Sequence, residues 1–365
     1  MTARPFRGAL PPTTLSACAG PRLMRLRPIS LAVALLLLLF LAYTGWWVAA
    51  SAQLRRAVND VVAAQQAQGN SINPTEPAIG GFPLRLSLRL DQARWQRSDG
   101  MLVEVGSLEA WARPWDPLRI TLHLDGGARV VGPPRGTEGT LALTAPAGEG
   151  ELRLARQGGI QQWKIHLDQP RLESGGLMGP LAASSLDLSW TVPALTAATP
   201  TPVIGSFNLL ARAITLPGPV PPPLDAEMQE IALEAQLHGI LPPNPDPAAL
   251  RGWSEAGGTV EVTGFRLLWS GMDLRGNATL ALDEMLQPQM AGSAELSGAD
   301  ALADMMVARG TLSRDQGKAM KTALGFLSQQ QPDGRRVVRV PLTIQDQQFS
   351  IGPIRVGQMP FIEWE

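Results

Sequence analysis

The sequence predicts a mainly β protein held by one membrane-spanning helix: an N-terminal apolar helix followed by a curved antiparallel sheet, closed as a sandwich or open as a trough, with a two-helix insertion near the C-terminus. Three observations carry this. Residues 29–50 read ISLAVALLLLLFLAYTGWWVAA, with no charge anywhere in the run. From Gly80 onward apolar residues recur with a period of two, again and again. Two segments late in the chain, 299–309 and 313–330, switch to helical spacing.

The apolar run comes first. At about 1.5 Å per residue, a helix of this length spans roughly 33 Å, enough to cross the hydrocarbon core of a bilayer. Trp46 and Trp47 lie near its far end, where amphipathic rings favour the membrane–water interface. Before it stand Arg4, Arg7, Arg22, Arg25 and Arg27, with no acidic residue among residues 1–28. That asymmetry predicts a cytoplasmic extension over 1–28, an anchor over 29–50 and export of everything beyond. Ala50-Ser51-Ala52 would serve a signal peptidase, but the length of the run and the bulk of the two tryptophans favour an uncleaved anchor. The single cysteine, Cys18, closes a lipobox-like Leu15-Ser16-Ala17 that precedes the apolar run, so a peptidase at the outer face would not reach it. Met24 opens a more ordinary leader than Met1.

Residues 51–69 come next. Leu54, Val58, Val61 and Val62 sit at helical spacing among Gln and Arg, which predicts an amphipathic stalk ending at Gly69-Asn70. Asn73-Pro74 and Glu76-Pro77 break it. The domain that follows, residues 70–365, alternates: Leu84/Leu86/Leu88/Leu90, Ile120/Leu122/Leu124, Leu141/Leu143, Leu152/Leu154, Trp163/Ile165/Leu167, Leu186/Leu188/Trp190 and the stretch 231–237. Each is a strand with one apolar face. Asp125-Gly126-Gly127, Pro133-Pro134 and Gly158-Gly159 separate them. The proline-rich stretches 217–223 and 241–247 are linkers, and the first is where a division into sub-domains would fall. In the last third, Val260/Val262, Leu274–Leu282 and Met290/Ala294/Leu296 read as a meander. Ser313 with Gln316 fits a capping box, and Met320, Ala323, Leu324 and Leu327 mark one helix face. Val338/Val340/Leu342/Ile344 is a final strong strand, with Phe349/Ile351 folded back on it.

Composition narrows function mostly by exclusion. The whole chain carries a net charge of −1, and without the five leader arginines the remainder is at −6. A mildly acidic exported body lacks the basic footprint of a nucleic-acid binder. With no cysteine beyond Cys18 there is neither a disulfide nor a thiolate metal site in it. Gly and Pro, 37 and 32 residues, mark frequent turns. His123, His166 and His238 alternate with apolar residues in three separate runs, so each reads as a solvent-facing strand residue. There is no HExxH, no nucleophile elbow and no phosphate-binding glycine loop. Asp283-Glu284 follows a strand and reads as a turn, and Asn277-Ala278-Thr279 is a sequon of the kind that arises by chance. Trp95, Trp111, Trp115 and Trp163 could line a sugar- or lipid-binding surface, although packing is the commoner use of such residues. The expectation is therefore a protein that is not an enzyme, with no catalytic, cofactor-binding or metal residues and no cofactor.

Gly81-Phe82-Pro83-Leu84-Arg85, Pro114-Trp115-Asp116-Pro117 and the ending Phe349-Ser350-Ile351-Gly352-Pro353-Ile354 carry a resemblance. Together with the order of anchor, alternating strands, late helices and terminal strand pair, they resemble an uncharacterised family of alphaproteobacterial envelope proteins, DUF2125. The resemblance covers most of residues 50–360 and implies a periplasmic protein tethered to the inner membrane, without assigned catalytic residues. More distantly, an anchor followed by long one-faced sheets is similar to the AsmA-like lipid-transfer proteins of Gram-negative envelopes. On this reading the partners are membrane lipids. Inward-facing Leu84, Leu86, Leu88, Leu274, Leu280 and Leu282 would line an apolar wall for their acyl chains. The alternative is a non-catalytic scaffold or interaction module of the envelope, its protein partners unknown.

Overall fold

The structure is a computed structural model that describes residues 28–73, 77–132, 140–174, 179–193, 202–220, 224–240, 246–310, 312–330, 336–352, 354–362 and 364. The arginine-rich extension with Cys18, the Pro133-Pro134 turn, parts of both proline linkers and Pro353 lie outside the described residues. The chain divides into two compact units, residues 1–50 and 51–365.

Helix α1 (Pro28–Ala67) is 40 residues long. Within the first unit its leucines from Leu35 to Leu39 are all exposed, and the segment is long and apolar enough to cross a membrane. The Thr44 hydroxyl donates to the Phe40 carbonyl at 2.8 Å, so this polar group is satisfied within the helix, as hydrocarbon surroundings would require. In the second unit, the stalk predicted over 51–69 is the C-terminal part of the same helix. Gly69, at φ +83°, lets Asn70 N–H reach the Gln65 carbonyl and its own N–H reach that of Gln66, a Schellman ending.

The second unit is built on one antiparallel sheet. Its strands are β1 (Ser71–Asn73), β2 (Ala78–Gly80), β3 (Leu86–Gln96), β4 (Leu102–Arg113), β5 (Asp116–Val131), β6 (Leu141–Ala145), β7 (Ala147–Leu154), β8 (Ile160–Asp168), β9 (Arg171–Ser174) and β10 (Leu181–Ala182). There follow β11 (Ser185–Thr191), β12 (Val203–Thr215), β13 (Glu227–His238), β14 (Thr259–Trp269), β15 (Met272–Leu282), β16 (Pro288–Ser297), β17 (Ser328–Gln330), β18 (Arg336–Gln345), β19 (Gln348–Ile351) and β20 (Ile354–Gln358). The ladder runs β3–β4–β5–β7–β8–β11–β12–β13–β14–β15–β16–β18–β19–β20, fourteen ranks in chain order. At about 4.8 Å per step it extends on the order of 60 Å along the hydrogen-bonding direction. β1 and β2 flank β3, and β17 pairs with the start of β18. Tight two-residue turns make the meander possible: Ser270-Gly271 and Asp346-Gln347 both have positive φ at both positions.

Three helices interrupt the meander. α2 (Pro247–Glu255) was not expected. Asp246 caps it by accepting from Ala249 N–H at 2.7 Å, and Pro247 opens it. Its Leu250 and Trp253 are buried, and the Trp253 indole donates to the His238 carbonyl at 2.8 Å. α3 (Ala299–Ala308) and α4 (Arg314–Leu327) are the predicted insertion between β16 and β18, with the Ser313–Gln316 capping box in place. They meet where a Cβ on Gly317 would lie 2.3 Å from Val307. Two expectations need correction. Residues 328–330 are not helix but strand β17, since pairing with β18 takes over the backbone bonds there. The face marked by Met320, Ala323, Leu324 and Leu327 is only half realised, because Ala323 and Leu327 are exposed.

Burial is concentrated in the last third. Ala278, Ala294, Val337, Leu342, Ile344, Ala299 and Ala303 are buried, whereas β3 to β13 contribute only Ala142, Ala145 and Ile214 among apolar residues. Among the described residues no large side chain is fully buried.

Candidate functional site

Because antiparallel partners point to the same face, the register assigns every side chain to a side. One face is apolar from end to end. A row runs Leu90–Leu108–Leu124–Gly148–Leu167–Leu186–Ala211–Ile231–Leu267–Leu274–Leu296–Val338. Beside it runs Leu88–Ala110–Leu122–Gly150–Ile165–Leu188–Leu209–Leu233–Phe265–Gly276–Ala294–Val340, and beside that Leu86–Ala112–Ile120–Leu152–Trp163–Trp190–Phe207–Ala235–Val262–Ala278–Gly292–Leu342. No charged side chain occurs in any of the three, and the indole N–H groups of Trp163 and Trp190 are their only side-chain hydrogen-bonding groups. The row glycines are filled by neighbours: a Cβ on Gly148 would meet the Leu167 side chain at 2.9 Å, and one on Gly276 the Phe265 ring at 2.6 Å.

The opposite face is a charge ladder. Arg89–Glu109–His123–Glu149–His166–Asp187 are successive cross-strand partners in which a basic side chain alternates with an acidic one. His166 Nδ1 lies 2.7 Å from Asp187 and Nε2 lies 3.3 Å from Asp168. The hydrogen bond with Asp187 raises the His166 pKa above its ordinary value. Further along, Asp273 accepts from both Arg275 and Arg266, which holds its carboxyl well below the usual carboxylate range. All three histidines thus sit on this polar face beside a carboxylate, His123 near Glu149 and His238 at 3.1 Å from Glu261. Among the described residues no group of three or more His, Cys, Asp or Glu could hold a metal ion.

A line of irregularities crosses both faces. Gln92 on β3 lies opposite Gly106 on β4, which lies opposite Gly126-Gly127 on β5. The line continues through Pro146 between β6 and β7, Gln169 between β8 and β9, Ala183-Ser184 between β10 and β11, and Ala213 on β12. Gln92, Gly126, Gly127, Gln169 and Ala213 all have positive φ. Bulges in register bend each strand at the same level, so the sheet carries a crease. On the apolar side, the crease encloses a cavity of about 270 Å³. Leu143, Leu172 and Leu181 line it from beyond the crease and Leu186, Leu209 and Ile231 from before it, and every other lining residue is Ala, Pro or Ile.

Of the wall residues predicted from sequence, Leu86, Leu88, Leu274, Leu280 and Leu282 share this face with the three rows. Leu84 does not: it stands in the turn before β3, 67% exposed, because the backbone bond from Arg85 N–H to the Gly81 carbonyl closes a turn there. Trp95 and Trp163 belong to the apolar face, Trp111 to the polar one beneath Arg113, and Trp115 is an exposed turn residue. Asp283-Glu284 is a turn, with Asp283 accepting from Met285 and Gln287 N–H. Sequence reading did not find the crease cavity. Leu143, Leu172, Leu181 and Leu209 are far apart in the chain, and two of the contributing strands, β9 and β10, are too short to show a period.

The family model described as an uncharacterized protein conserved in bacteria (DUF2125) matches residues 47–360. No curated protein matches the chain, and no solved structure does. The more distant AsmA-like resemblance is not shown by these comparisons.

Proposed function

The chain belongs to the DUF2125 family, and we propose that it is an inner-membrane-anchored, non-catalytic periplasmic protein whose apolar face shelters the acyl chains of envelope lipids. The observation that carries this is the three uninterrupted apolar rows, half-buried over β3 to β13, along which no helix among the described residues is packed. A face meant only as core would be covered. The apolar helix and the five leader arginines support a tether that keeps this face near a bilayer. The crease cavity, just below the usual 300–1,000 Å³ of small-molecule sites, is where an acyl chain would lodge first. Each methylene sheltered is worth about 0.8 kcal/mol, so ten or so carbons suffice for firm retention.

The test is to purify the full chain in a detergent that is easily exchanged and to identify co-purified lipid by mass spectrometry, alongside transfer of labelled lipid between vesicles. Lipid retained in stoichiometric amount is expected. Absence of both lipid and transfer would leave the second reading in front, an assembly module. That reading draws on the outer edge of β20, which has no strand partner among the described residues and could accept one from another protein. Orientation is checked separately with a reporter fused after Glu365 that works only outside the cytoplasm.

A further inference from the structure

On the polar side, the crease opens a cleft of about 710 Å³. Its ionisable lining groups are Arg94, Glu104, Arg129 and Arg171, joined by Thr144 and by the backbone of Gly106, Gly126 and Gly127. Register aligns the side chains in one row: Arg94 opposite Glu104, Glu104 opposite Arg129, Arg129 opposite Thr144, Thr144 opposite Arg171. Elsewhere on this face Arg339 bonds its cross-strand partner Glu295, while Arg266 and Arg212 reach acids diagonal to them, Glu230 and Asp273 for the first and Asp187 for the second. In the cleft the pairing stops after one step. Glu104 is engaged by Arg94 at 3.3 Å. Among the described residues, Arg129 and Arg171 have no carboxylate within ion-pair distance, and between them stands a threonine hydroxyl.

We propose that this cleft is a binding site for a phosphate-bearing anion, held by Arg129 and Arg171 with Thr144 between them. Two guanidinium forks match phosphate oxygens bidentately, and the Thr144 hydroxyl between them donates to the Arg171 carbonyl at 3.4 Å, a long bond that an anion's oxygen would compete for. At the bulge a Cβ on Gly126 or Gly127 would meet nothing closer than 3.5 Å, so these two glycines leave room for a ligand to approach the backbone. The cleft's volume lies inside the range of small-molecule sites. The anion has two sources, a soluble phosphate compound or the headgroup of an anionic phospholipid. This site is on the face opposite the apolar rows, so it stands or falls independently of the acyl-chain reading.

The full chain in neutral detergent is titrated calorimetrically with inorganic pyrophosphate and, separately, with dihexanoyl phosphatidylglycerol; dihexanoyl phosphatidylcholine is the zwitterionic control. Saturable binding of at least one anionic probe is expected, weakened at least about tenfold in R129Q/R171Q, since each arginine supplies charge-assisted bonds. Lys164→Gln, elsewhere on the polar face, should leave it unchanged. Stronger binding of pyrophosphate identifies a soluble phosphate, and stronger binding of the lipid probe identifies a headgroup. Should the double variant unfold at a lower temperature, Arg171→Gln alone carries the same comparison. The proposal is overturned if neither anionic probe binds, if the arginine variants bind as well as the parent, or if Lys164→Gln loses as much.

Discussion

The crease is testable at Gly106, where β4 passes nearest to β5. A Cβ added there would lie 2.2 Å from the Gly126 carbonyl oxygen and 2.6 Å from its carbon. Real Cβ contacts below 3.0 Å essentially do not occur, so Gly106→Ala requires the two strands to part locally by about 0.8 Å. Hydrogen bonds of the usual 2.9 Å would stretch to about 3.7 Å, beyond the distance at which they count as bonds. Losing two or three ladder bonds at about 1 kcal/mol each, with the strain of overpacking, gives a cost of roughly 2–4 kcal/mol. At about 2 °C per kcal/mol for a unit of this size, the midpoint should fall by roughly 4–8 °C. The control is Gly264→Ala, also at a bulge, on β14, but with nothing within 4 Å of its Cβ. Its effect should stay within about 0.5 kcal/mol. Thermal unfolding of both variants, followed by circular dichroism in detergent, decides the matter. Equal midpoints would refute the idea that bulges in register force these strands together.

Two further outcomes follow from the polar face and from α2. The His166 pKa is raised by Asp187, so its contribution to stability is fully present below the unfolded-state value of about 6.5 and is lost as pH rises through the higher folded value. Unfolding midpoints of the parent should therefore drop as pH rises above about 6.5, and His166→Gln should flatten that slope; an unchanged slope would contradict the assignment. Trp253→Ala removes the buried ring that fixes α2 against Gly258 and the His238 carbonyl, and should cost about 3–5 kcal/mol in denaturant unfolding.

How much of this was legible depends on phase. Strands such as β8 and β11 keep one alternation throughout, and Trp163/Ile165/Leu167 and Leu186/Leu188/Trp190 declare themselves. β4 and β12 escaped notice although each is a dozen residues long, because a bulge inverts the alternation midway. In β4 the apolar face carries Val103 and Val105, then Leu108 and Ala110 beyond Gly106. In β12 it carries Leu209 and Ala211, then Ile214 beyond Ala213, as the crease cavity shows. A fixed period of two cancels itself across such a break. α2 had readable signals in Asp246-Pro247, but only Leu250 and Trp253 mark its buried face and the surrounding prolines read as linker. The isolation of Arg129 and Arg171 had no local signal at all. It exists only because long-range pairing sets Arg129 between a Glu104 already engaged by Arg94 and a threonine that separates it from Arg171.

The apolar face makes a last demand on the molecule. From β3 to β13 there are eight ranks; with three rows, at about 4.8 Å and 6.8 Å spacing, they enclose roughly 800 Å². That exceeds the roughly 300–600 Å² of the largest apolar patch on a typical soluble monomer. At most about a third exposed, it leaves up to about 7 kcal/mol of burial unrealised at about 25 cal/mol per Å². Association costs of about 4–15 kcal/mol are of the same size, so on the proposed reading the face would take an acyl chain or a second body and have no surplus to do both. Residues 51–365 form a compact unit, which is the segment to express without the anchor. In detergent-free buffer this body should self-associate, and addition of a long-chain fatty acid should return it to monomer in sedimentation velocity. A body that stays monomeric without any acyl ligand would mean that the face is closed in solution, and the acyl-chain reading would fall with it.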